Sequence, residues 1–403
     1  MTWRAITPAA FALTNLCVPL FPSFIVLAGI EPPGIALVPR GASAALLGLF
    51  AVLGILFAVR LTLERRQQSV MRVPLVSWLC AGLLAAALGF EPRSGLVFLG
   101  IFALGIVWNQ ALLQYYAQPR VASAIVWAMM IACAGSSIVA IIMVALRRPA
   151  AQYVIGHGRA IGTFVLPGEL AGYLIVLLPI SYAIAVVTTR PGLRVAAAAS
   201  TLLGAAALVL TFSRAGWVAL AAGVAFLAIA RLRASRASLL WGGAIVAMAV
   251  IVVLALFNVA HNPSEDYTRL SIWRAALQIV ERFPLTGVGP FAFSRLYGAV
   301  RAPNADAIAF HAHSVYLTLL AETGIVGVGA AIWTWWSFAA ELRRRLGEDG
   351  RHAFIALAVA AGLVGTLVQG LIDTVSVVLF GLWLPTMAFA LACARYGLAE
   401  PDA

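Results

Sequence analysis

The sequence predicts an all-α polytopic membrane protein of about twelve transmembrane helices, and three observations predict it. Of its 403 residues, 63% are hydrophobic and 10% are charged, whereas a soluble domain keeps roughly a quarter of its residues charged. Mean hydropathy is +0.99. Apolar runs recur along the chain near the roughly 20 residues a helix needs to cross hydrocarbon. They are uniformly rich in Ala, Leu and Val, without the alternation of outer-membrane barrel strands.

Spans are expected, in order, near 9–30, 41–59, 73–90, 95–113, 121–145, 165–188, 195–212, 215–230, 239–258, 315–340, 353–372 and 375–394. The first run leads into Glu31-Pro32-Pro33 rather than a small-residue cleavage site, so it reads as a span and not a leader. The seventh and eighth spans share only residues 195–230, which forces their hinge into "TFSRAG" (211–216). The 27 basic residues are all Arg. Arg holds its charge in poor solvent and grips phosphate in a bidentate fork, although an Arg-biased genome gives the same count. With the N-terminus inside, sixteen arginines fall in cytoplasmic loops and six in short outer loops: Arg40, Arg93, Arg147, Arg148, Arg159 and Arg214. That bias places both termini in the cytoplasm. The chain then divides into 1–150 (five spans), 151–258 (four spans with a short outer loop), 259–314 (a large outer loop) and 315–403 (three spans and the C-terminus).

Within the large loop, "TRLSIWRAALQIVERF" (268–283) spaces Leu270, Trp273, Leu277, Val280 and Phe283 as a helical stripe. The amphipathic helix is expected to lie on the membrane surface or to cap the bundle. "PLTGVGP" (284–290) then ends it in a turn.

Polar groups gather on the outer side. Arg214 stands at the membrane boundary with almost no loop around it, a costly position unless it pairs, snorkels or meets a ligand. Arg269, Arg274 and Arg282 lie on or beside the loop helix, and Arg159 precedes the sixth span. Sustained outer positive charge points to an anionic ligand. His311 and His313 stand at the mouth of the tenth span, and Glu322 lies deeper. For a helix starting near 311, His313 and Glu322 fall on opposite faces, so Glu322 is expected to bond another helix. Ala321, Gly324 and Gly327 form a small-residue face suited to close packing. A neutral imidazole titrates near neutrality and suits a general base. Glu169 and Asp373 read as intramembrane acids in pore-lining or structural roles. No third ligand accompanies the H-x-H pair, and Cys17, Cys80, Cys133 and Cys393 are scattered, so neither a metal site nor a disulfide is expected.

Four ordered blocks resemble the O-antigen ligase family. "HSVYLTLLAETGIVG" (313–327) has the family's His, a polar residue, nine residues, then Gly-x-x-Gly; Ser314 stands where Asn is commoner. "GRAIGTFVLPGELAGYLIVLLP" (158–179), "TFSRAGW" (211–217) and "RLSIWRAALQIVERFPLTGVGPFAF" (269–293) resemble three further blocks, with Gly168-Glu169 where the family often has Asn. The resemblance implies a metal-independent, cofactor-free GT-C-type glycosyltransferase in the bacterial inner membrane, with its site in the periplasm. The implied donor is a glycan on undecaprenyl diphosphate and the implied acceptor is a sugar hydroxyl of lipid A–core. Its essential His maps onto His313, and its essential arginines map onto Arg214 and Arg269. Arg159 and Arg274 are expected to join the diphosphate clamp. His311 orients the base or contacts the acceptor, with Tyr316 and Glu322 beside the site. Membrane lipids are expected partners, and nucleic acid is not. An O-antigen or exopolysaccharide polymerase is the nearest alternative, and a lipid-linked glycan transporter is more distant.

Overall fold

The computed structural model describes residues 9–13, 16–20, 40–63, 71–115, 118–231, 263–303, 305–346, 350–373, 388 and 391. Among them every regular element is helical and no strand occurs. The helices are α1 (Arg40–Leu63), α2 (Arg72–Leu88), α3 (Pro92–Tyr115), α4 (Pro119–Leu146), α5 (Ala150–Ile155) and α6 (Pro167–Val187). They continue with α7 (Pro191–Leu210), α8 (Arg214–Arg231), α9 (Pro263–Arg282), α10 (Phe293–Val300), α11 (Val315–Leu346) and α12 (Arg351–Gln369). Seven helices (α3, α4, α6, α7, α8, α11 and α12) are long and apolar enough to cross a bilayer, and α1 and α2 hold shorter apolar stretches. The chain is therefore a polytopic membrane protein. The expected span at 239–258, and most of those at 9–30 and 375–394, lie outside the described residues.

Local chemistry sets the helix starts. α4, α6 and α7 each open on proline after an extended residue, because proline lacks only an N–H that the first turn leaves unpaired anyway. Glu169 completes the start of α6: its Oε2 accepts the N–H groups of Val165 at 3.1 Å and Leu166 at 3.2 Å. The intramembrane acid at 169 is thus a cap, which resolves its expected role as structural.

α6 is apolar on every face and buried on nearly every face, as a helix at the centre of a bundle must be. It packs against α4, α7, α8 and α12, and α8 also packs along α12. Backbones meet there. A Cβ on Gly223 would sit 2.6 Å from the Ala361 carbonyl, and one on Gly362 would sit 2.9 Å from that of Val176. Lipid gives apolar faces little reason to associate, so close small-residue contact carries the dispersion that holds such helices. α2 packs on α3 and α11, while α9 packs on α10 and α11.

The loop helix turns inward a face that overlaps the expected stripe only in part: Val280 and Phe283 pack on the cluster, but its buried centre lies elsewhere. Ile272, Ala275, Ala276 and Ile279 are buried against Ala309, Ala312 and Ala321, whereas Leu270 and Leu277 remain 47% and 48% exposed. Two alanines let α9 approach α11 closely, and a stripe chosen by large side chains overlooks them. The helix caps the bundle on its alanine face.

Candidate active site

The histidine segment is docked on the end of α12. The last carbonyls of a helix lack intrahelical partners, and three donors near the start of α11 supply them. Ser314 Oγ donates to Gly370 O at 3.3 Å, Val315 N donates to the same oxygen at 2.8 Å, and Tyr316 Oη donates to Leu367 O at 2.7 Å. Tyr316 is thereby committed to the scaffold through its hydroxyl. Position 314 calls for a side-chain donor, which both Ser and the family's commoner Asn provide.

His313 precedes α11 rather than lying in it, and its φ of 48° is left-handed. The helix thus does not extend back to 311; it begins at Val315, where the tenth span is expected. A non-glycine residue adopts the left-handed region rarely, and here the chain must turn sharply out of the loop to reach α12. His311 supports the turn. Its Nδ1 accepts the His313 backbone N–H at 3.2 Å, and the two rings meet edge to face with centroids 4.5 Å apart. Burial, with a smaller contribution from the neighbouring His313, pushes the His311 pKa down to about 3. An Nδ1 that accepts this N–H leaves the proton of a neutral ring to Nε2.

Glu322 lies in the regular first part of α11, two residues before a break. α11 is broken at Gly324, where φ is 61° and ψ is −167°. The N–H groups of Ile325 and Val326 donate instead to Pro284 O (2.9 Å) and Leu285 O (3.2 Å). The carbonyls of Ala321 and Glu322 accept from Val288 N (3.0 Å) and Gly289 N (2.9 Å). The break and the "PLTGVGP" turn interlock, and each supplies the backbone groups the other lacks. A Cβ on Gly324 would run into Leu285 O, and one on Gly287 would run into the Glu322 carbonyl carbon. The buried Glu322 carboxylate accepts N–H groups of Phe291 and Phe293 at the start of α10. It holds the scaffold behind the site and bonds another helix, as expected.

The 211–213 hinge is equally specific. Thr211 Oγ1 accepts the Ser213 N–H at 3.1 Å, Ser213 Oγ accepts that of Gly216 at 3.1 Å, and Trp217 Nε1 donates to Leu208 O at 3.2 Å. These bonds fix Arg214, only 9% exposed, at the first position of α8. Arg159 reaches the same hinge: its Nε donates to Thr211 O at 2.8 Å and its Nη2 to Phe212 O at 3.3 Å. Part of its guanidinium is therefore spent on closing α7.

Arg214 and His313 lie at one end of the bundle, joined by a chain of contacts. Gly216, beside Arg214, approaches Ala171 in the first turns of α6. Gln369 Nε2 donates to Gly168 O at 3.3 Å, and the Asp373 carboxylate lies against Gly168. Gly370 in that turn holds Ser314 and Val315. Arg269 is partly buried one turn before Ile272, which shares an apolar cluster with Ala309 and Ala312 of the histidine loop. Arg274 lies on the exposed side of α9. The turn at 367–373 was not expected at the site: its contribution is mostly backbone carbonyls, which leave no mark in side-chain chemistry. Among the described residues, no three His, Cys, Asp or Glu side chains are grouped to hold a metal ion.

Residues 199–332 match the family model described as O-antigen ligase. This match, over about a third of the chain, supports membership of the O-antigen ligase family. No curated protein matches the chain. The matched segment runs from α7 to the middle of α11. It contains three of the four sequence blocks: the hinge that fixes Arg214, the helix and turn from Arg269 to Phe293, and the His313–Gly327 motif. The Gly324 interlock joins two of those blocks directly.

Proposed function

We propose that the protein is an O-antigen ligase of GT-C type with about twelve spans in the bacterial inner membrane. It transfers a glycan from undecaprenyl diphosphate to a sugar hydroxyl of lipid A–core on the periplasmic face. The observation that carries this reading is the contact path from Arg214, through α6 and the end of α12, to His313. The path brings an arginine and a histidine to one end of an apolar bundle, which supports pairing an anion-binding group with a base. The asymmetry of Arg between the two sides orients that end outward, with both termini cytoplasmic.

In the proposed reaction His313 removes the acceptor hydroxyl proton while its oxygen attacks the anomeric carbon. The bond from that carbon to the phosphate oxygen breaks in line, so the anomeric configuration inverts. The electron pair leaves on undecaprenyl diphosphate. Arg214 and Arg269 hold the developing charge bidentately at a water-poor boundary, where such contacts are strongest. They do the work that a divalent cation does in other transferases. Arg159 and Arg274 contribute charge from the hinge and from the outer side of α9.

Purified protein supplied with undecaprenyl-diphosphate glycan and lipid A–core is expected to form glycosylated lipid A–core without added metal. Arg214→Ala and Arg214→Lys are expected to lose transfer, because an ammonium does not reproduce the guanidinium fork. Product formed only when a second lipid-linked glycan is the acceptor would make the protein a polymerase and overturn the ligase reading.

A further inference from the structure

We propose that His311 is a positioning residue that holds the backbone of His313 in its left-handed turn by accepting its N–H, and does not itself handle the acceptor. The inference rests on the reading of His313 as the base.

The geometry has the form of a side chain bonding the backbone two residues on, the pattern by which Asn and Asp stabilise turns. His311 Nδ1 lies 3.2 Å from His313 N, and the accepting nitrogen carries no proton in the arrangement seen. The turn needs such an acceptor. At φ 48° His313 is outside the helix that begins at Val315, and its N–H is taken up by His311 Nδ1. Fixed on one side by His311 and on the other by Ser314 and Val315 on Gly370, the His313 backbone is held at both flanks. The imidazole is then presented in one direction, and general-base catalysis depends on that geometry before it depends on pKa.

Charge explains the choice of a group that stays neutral. A cation at 311, edge-on at 4.5 Å, would oppose the positive charge His313 gains when it takes the acceptor proton. Burial and the neighbouring imidazole hold His311 neutral, so the acceptor survives throughout turnover. Ser314, next to the pair, bonds the Gly370 carbonyl end of α12, and Ala312, between the two histidines, belongs to the apolar cluster that holds Ile272 of α9.

The experiment compares His311→Ala, His311→Asn and His311→Arg with His313→Ala in full-length purified protein, measuring kcat, both KM values and the melting temperature. His311→Ala should lower kcat about 10²-fold, the scale expected when a catalytic group is misplaced by an ångström. Both KM values should stay near wild type. Asn can accept the same N–H and should restore most of the loss, while Arg should be worse than Ala. Selective ¹⁵N labelling of His311 in the unsubstituted protein should report an unprotonated, hydrogen-bonded Nδ1, a readout independent of whether any variant folds. Equal loss in Ala and Asn with a raised acceptor KM would overturn the positioning role in favour of direct contact. So would wild-type kcat in His311→Ala. Activity surviving in His313→Ala would instead remove the base reading beneath it.

Discussion

Gly324→Ala tests whether the broken helix is a built feature of the fold. Two outcomes are open to the variant, and both cost free energy. If the break persists, alanine must adopt φ 61° and ψ −167°, a glycine region costing about 1–3 kcal/mol. Its Cβ also meets the Leu285 carbonyl, adding an overpacking cost of about 1–3 kcal/mol. If α11 instead closes into a continuous helix, Ala321 O and Glu322 O return to the helical ladder. The buried N–H groups of Val288 and Gly289 then lose their acceptors, at about 1–3 kcal/mol each. Either route destabilises by roughly 2–6 kcal/mol. Thermal unfolding in detergent, followed by tryptophan fluorescence, should show a fall of several degrees at about 2 °C or more per kcal/mol. Gly329→Ala in the same helix is the control, since a Cβ there meets nothing within 4 Å. Its melting temperature should stay level or rise slightly. Equal melting of the two variants would refute the interlock.

Arg159→Ala should remove charged hydrogen bonds to the hinge carbonyls and cost about 1.5–3 kcal/mol, lowering the melting temperature; Arg214→Ala should abolish transfer. Glu169→Ala should cost about 1 kcal/mol through loss of the cap on α6, seen in the same melting assay, with Gln recovering part. The pKa of His311 lies below its unfolded value, so unfolding takes up a proton there as pH falls beneath about 6.5. Stability from this group is complete above that pH and declines progressively toward pH 3; melting temperature should therefore fall more steeply on acidification in wild type than in His311→Asn.

Hydropathy made the spans legible, and the shortness of 195–230 forced the hinge that carries Arg214. The polar pair at the mouth of an apolar run marked His311 and His313. The rest depends on groups that side-chain patterns do not display. Glu322 and Thr323 interrupt the apolar run just before Gly324, but a polar pair does not by itself announce a break, whose partners are backbone atoms of 284–289. Leu166 before Pro167 gives no capping residue to pair with Glu169 by eye, yet the carboxylate reaches back to two backbone donors. On α9 the buried face is written in Ala275 and Ala276, which count for little by hydrophobic weight and for much by close approach. The turn at 367–373 acts through the carbonyls of Leu367 and Gly370, contributed equally well by any residue type.

The rate of glycan transfer from undecaprenyl diphosphate to lipid A–core by purified His313→Ala, set against wild type of matched melting temperature, addresses the central claim most directly. The predicted result is a loss of about 10²–10⁴-fold with the variant still folded. A folded variant that transfers glycan at the wild-type rate would contradict the account.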